Sequence, residues 1–87
     1  MKHAGPAALE TLGPLLTQLR TVDGLVEKKT GTFSWRSKAF LHFHEDDSGL
    51  YVDARFDPDG DFERQRVTTA AEQRRFIRAV RAAVGRT

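Results

Sequence analysis

Eighty-seven residues make one small domain spanning 1–87, of a size that buries only about 60% of the surface its unfolded chain exposes and leaves no room for a second core. The composition is 39% apolar and 30% charged with no cysteine, which excludes a disordered or fibrous chain, a disulfide framework, thiolate metal ligands and thiol catalysis. The formal net charge of +2 hides an uneven layout: residues 1–44 carry six Lys/Arg against three Asp/Glu, residues 45–63 one against eight, and residues 64–87 seven against one, a field suited to steering or self-association as well as to nucleic acid.

Met1 to Gly5 reads as a short frayed end. Glu10 falls where a signal peptide would keep its apolar segment, and no run nears the roughly 20 apolar residues of a membrane span, so a cytoplasmic protein without membrane contact is expected. Leu9, Leu12, Leu16 and Leu19, with Leu15 beside them, mark an amphipathic helix. Gly13-Pro14 interrupts it, because Pro14 cannot donate to the carbonyl four residues back. As the leucine stripe continues across the interruption, one helix bent or broken near Gly13 is the expectation. Asp23-Gly24 is a turn, and Leu25 to Lys29 leads on as a short extended arm.

Thr32 to Phe56 holds most of the aromatics and nearly all of the strand-like alternation. A turn at Ser37-Lys38 and a loop from Glu45 to Gly49 divide it into three antiparallel strands. If Arg36 pairs with Ala39, then Trp35 meets Phe40 and Phe33 meets His42, and the next loop sets His44 against Leu50. One face would then carry Phe33, Trp35, Phe40, His42, His44, Leu50, Val52, Ala54 and Phe56 as the core. The other would carry Ser34, Arg36, Leu41, Phe43, Tyr51, Asp53 and Arg55. A slip of one residue exchanges the two sets.

Asp57-Pro58-Asp59-Gly60 is a strong turn signal, and Asp61 to Val67 follows as a fourth strand with Phe62 as its apolar anchor. Thr69-Ala70-Ala71-Glu72 is a capping box that starts a helix. Phe76, Ile77, Val80, Ala83 and Val84 form its apolar stripe, Arg74, Arg75, Arg78 and Arg81 its flanks and far side, and Gly85 stands where it should end. The expected fold is therefore α+β: a four-stranded antiparallel sheet with two helices on one face, in the order α-β-β-β-β-α.

This order, with Gly31-Thr32-Phe33-Ser34-Trp35-Arg36-Ser37-Lys38-Ala39-Phe40 at the first hairpin, resembles the MmcQ/YjbR family. Gly24-Leu25-Val26-Glu27 stands for that family's Pro-Gly-Val-Glu-Glu-type segment. Gly31 with Phe33 or Trp35 stands for its Gly-x-x-x-Phe stretch, and Ser37-Lys38-Ala39-Phe40 for its Gly-Lys-x-Phe turn. The likeness covers roughly the first sixty residues, and the family's longer second half is replaced here by Asp61 to Val67. The resemblance implies a frataxin-like fold and a role in DNA binding.

Several groups of residues carry candidate chemistry. Arg74, Arg75, Arg78 and Arg81 would bind phosphates, with Arg36 and Lys38 at the hairpin tip acting as a wing along a nucleic-acid backbone. Leu41, Phe43 and Tyr51 would form an apolar patch on the outer sheet face, fit for a homodimer or a protein partner. His42-x-His44 places two imidazoles on one strand face, but only these two have a fixed spacing. Glu45, Asp46 or His3 would have to supply the rest, so the rings are read as packed in the core and no metal or other cofactor is expected. Asp57-x-Asp59-x-Asp61 has its glycine at the fourth place and Thr68 at the twelfth, which a calcium loop does not allow. Ser34 and Ser48 lack a positioned base, so a non-catalytic binding domain is expected rather than an enzyme. Weak DNA association is the leading expectation for function, and a protein-interaction or self-association module using the outer sheet face is the alternative.

Overall fold

Arg36 and Ser37 both have positive φ, 54° and 67°, which closes the first hairpin with the two-residue turn whose twist matches that of the flanking strands. The turn sets Trp35 opposite Lys38, one residue earlier than the spacing of Ser37-Lys38 suggests. The computed structural model describes residues 1–85. Among them the elements in chain order are β1 (Lys2–His3), α1 (Pro6–Thr11), α2 (Gly13–Leu19), β2 (Leu25–Lys29), β3 (Thr32–Trp35), β4 (Lys38–Asp46), β5 (Gly49–Ala54), β6 (Glu63–Arg66) and α3 (Ala70–Val84).

The class is α+β with an antiparallel sheet, but the sheet has six strands rather than four, ordered β2-β3-β4-β5-β6 with β1 against β4. Both additional strands have a physical reason. Leu25–Lys29 reads in sequence as an arm, yet Leu25, Val26 and Glu27 pair with Trp35, Ser34 and Phe33 and give the sheet its edge. β4 is longer than β3, whose pairing reaches only to His42. The open flank beyond that point takes Lys2 and His3 opposite Glu45 and His44, so the N-terminus is tied down rather than frayed. A hydrogen bond from Ala4 N to Phe43 O (3.0 Å) continues the same tie.

The leucine helix is broken at Leu12 (φ −79°, ψ 1°), with Pro14 in the first turn of the second piece, where a missing N–H costs nothing. Leu12, Leu15 and Leu19 are fully buried and Leu16 nearly so, so the stripe works across the break. No helix among the described residues is long and apolar enough to cross a membrane.

The faces of β4 differ from the expected ones. Ser34 pairs with Ala39 but Phe33 pairs with Leu41, so Phe40 is an extra residue, a bulge. Past it, Phe43 pairs with Val52 and Leu41 with Ala54, while His42 pairs with Asp53 and His44 with Tyr51. Leu41 (1% exposed) and Phe43 (3%) therefore join Phe33, Phe40, Val52 and Ala54 in the core, against the leucines of α1–α2 and Phe76, Ile77, Val80 and Val84 of α3. His42 and His44 lie on the opposite face. Phe62 is also displaced: it precedes β6, is 37% exposed, and its ring sits 5.3 Å from that of His42. Val67, fully buried, anchors that end of the sheet instead.

Candidate functional site

On the outer sheet face, antiparallel pairing brings residues from four strands to one spot. His42 lies opposite Asp53, His44 one pair further along opposite Tyr51, His3 opposite His44 and Arg64 opposite Asp53. Asp53 Oδ2 is 3.1 Å from His44 Nε2 and 3.7 Å from His42 Nε2. The His3 and His44 rings stack at 4.7 Å between centroids, and His42 meets His44 edge-on at 4.8 Å. Arg64 donates from Nε to Asp53 Oδ1 (2.7 Å) and from Nη2 to Oδ2 (2.8 Å).

This environment decides protonation. The Arg64 hydrogen bonds, against some desolvation, hold the Asp53 carboxyl below its ordinary value. Burial pushes the His42 imidazole below 6.5, with His44 adding to the effect and Asp53 opposing it, so the ring is neutral at pH 7. His44 is 8% exposed, and neither of its ring nitrogens has a hydrogen-bond partner among the described residues. The 3.1 Å approach of Asp53 is close enough but poorly aligned.

Sequence reasoning singled out His42, His44 and His3 but missed Asp53, having set it on the face opposite the imidazoles. The better signal was relative hydrophobicity within β4: Leu41 and Phe43 lose more by exposure than His42 and His44, so they claim the core. The other expected acids point elsewhere. Glu45 accepts from Gly5 N (2.6 Å) and Asp46 from Ser48 N (2.8 Å). Of the expected apolar patch, Leu41 and Phe43 are core residues, and Tyr51 remains outside with its hydroxyl 2.6 Å from Ser48 Oγ. The self-association reading thereby loses its surface.

The second candidate surface is basic. Helix α3 buries Phe76, Ile77, Val80 and Val84 and exposes Arg74, Arg75, Arg78 and Arg81. Three arginines elsewhere are matched with carboxylates: Arg20 with Glu27 (2.7 Å), Arg64 with Asp53 (2.7 Å) and Arg66 with Glu72 (3.0 Å). Among the described residues, the four on α3 have no such partner. Arg36 lies with its guanidinium over the Trp35 ring, 4.7 Å from its centroid, and lines one cleft together with Asp23, Trp35 and Arg81. The hairpin tip thus borders the same cleft as the C-terminal end of α3. Lys38 lines a different hollow, with Arg55 and Pro58. Five of the six expected phosphate-binding residues are therefore on or beside α3, and Lys38 stands apart.

Compared with family models, curated proteins and solved structures, the chain finds no match in any of the three.

Proposed function

We propose that this chain is a non-catalytic binding domain that associates with duplex DNA along α3 and at Arg36. The observation that supports this reading is the contrast between arginines: Arg20, Arg64 and Arg66 are neutralised by carboxylates, whereas Arg74, Arg75, Arg78 and Arg81 are exposed and unmatched among the described residues. An unmatched guanidinium keeps its full attraction for phosphate and releases condensed counterions when it binds one. Arg74, Arg78 and Arg81 follow one another at i, i+4 and i+7, a stripe about 10 Å long at the helical rise of 1.5 Å per residue. That length matches about three charges of one DNA strand at 3.4 Å each. The DNA-binding role implied by the family resemblance points the same way. Lys38, beside Pro58 in the aspartate-rich loop, is not part of the proposed surface.

The test is a fluorescence-anisotropy titration of a labelled duplex at low salt with wild type and the Arg75→Ala/Arg78→Ala double variant. Loss of most of the affinity in the double variant is expected. Equal binding by the two would contradict the arginine-helix assignment.

A further inference from the structure

We propose that His42, His44 and Asp53 form a binding site for a divalent late-transition metal ion of the zinc class on the outer sheet face, with His3 as its fourth ligand. The first observation is geometric. One ligand atom from each of His42, His44 and Asp53 can be chosen so that all lie within 4.8 Å of one another. Two adjacent strands, β4 and β5, bring these three together, and β1 flanks β4 on its other side. His3 enters from β1 in register with His44, its ring 4.7 Å from that of His44 and 5.7 Å from that of His42.

The second observation is independent of spacing. His44 is buried, yet neither ring nitrogen makes an aligned hydrogen bond among the described residues, Nε2 having only the poorly aligned Asp53 Oδ2 at 3.1 Å, and a buried polar group in that state is costly. Coordination through one nitrogen relieves this. Neutral imidazoles with one carboxylate are the ligands that zinc, nickel and copper prefer, whereas calcium and magnesium take oxygen donors.

Arg64 opposes the site, since it holds both Asp53 oxygens. Its side chain is 46% exposed, so it can turn away to solvent when an ion takes its place, an exposed ion pair being weak. The arginine is thus a competitor for Asp53, and its removal should tighten binding.

The experiment is a calorimetric titration of the tag-free full chain with zinc chloride, repeated with cobalt(II) to follow the visible bands of a tetrahedral ion. One zinc per chain, with a dissociation constant below about 1 µM, is expected. His44→Ala should weaken binding by more than the roughly 10–100-fold loss typical of an outer-shell contact. His42→Gln, at a half-buried position where folding is less at risk, should do the same. Arg64→Gln should tighten binding several-fold. Non-saturating or non-stoichiometric binding overturns the proposal, as does a one-to-one site indifferent to His42→Gln. An unchanged affinity in His3→Gln overturns the part assigned to His3.

Discussion

Phe76 is 1% exposed, with its ring 6.3 Å from Phe56, which in turn meets Phe40 edge-on at 5.7 Å. This row of rings joins α3 to the bulge of β4. Truncating its α3 member leaves a cavity that the sheet cannot close, so Phe76→Ala is expected to cost about 3–5 kcal/mol, close to the whole stability of a domain this small. Urea denaturation measures it, and a loss below about 1 kcal/mol would mean that α3 is not anchored there. The role of Phe76 was legible in sequence, because Phe76, Ile77, Val80 and Val84 repeat at helical spacing and the capping box places the helix start. Asp53 was not legible in the same way. Its partners His42, His44 and Arg64 lie on two other strands, and only the register decides whether they share its face.

At the scale of elements, register depended on one turn and one bulge. A two-residue hairpin turn with positive φ at both places is usually written Asn-Gly or Asp-Gly. Here it is Arg36-Ser37, a pair with no such signature, and the bulge at Phe40 leaves no mark in the period-2 pattern. Serine in that conformation is strained where glycine is not. Ser37→Gly is therefore expected to stabilise the chain by about 0.5–1 kcal/mol in the same urea assay. Destabilisation would argue against this turn geometry.

The start of α3, by contrast, follows its motif. Glu72 N donates to Thr69 Oγ1 at 3.1 Å, and Glu72 Oε1 accepts from Thr69 N at 2.9 Å and Thr68 N at 3.0 Å. The backbone hydrogen bond from Thr69, helped by Arg66, keeps the Glu72 carboxyl below its ordinary 4.5 against the opposing effect of desolvation. A folded-state value below the unfolded one means that the stabilisation is full above 4.5 and is lost as pH falls through the lowered value. Glu72→Gln removes the titration, so the difference in urea midpoint between wild type and variant should shrink as pH drops below 4.5. A pH-independent difference would show that the carboxylate charge plays no part in the cap.

Over the whole molecule, the sequence's charge segregation is partly neutralised by pairing, Arg64 with Asp53 and Arg66 with Glu72. The class of fold, the helix break near Gly13 and the amphipathic α3 could all be read from apolar periodicity and turn residues. The edge strand β2 and the tie of β1 could not, since each depends on a partner distant in sequence. The same holds for the basic surface: the α3 arginines are evident as a run, but their lack of carboxylate partners among the described residues and the cleft that Arg36 and Arg81 both line appear only in three dimensions. The central claim is that these arginines bind DNA phosphates, and its most direct test is the salt dependence of duplex affinity between about 50 and 200 mM. Each phosphate contact contributes a slope of about −0.9 in log affinity against log salt, so four α3 contacts with Arg36 predict roughly −4.5 for wild type, and Arg75→Ala/Arg78→Ala should be shallower by about 1.8. No binding at about 50 mM salt, where electrostatic attraction is least screened, or an unchanged slope in the double variant, would contradict the account.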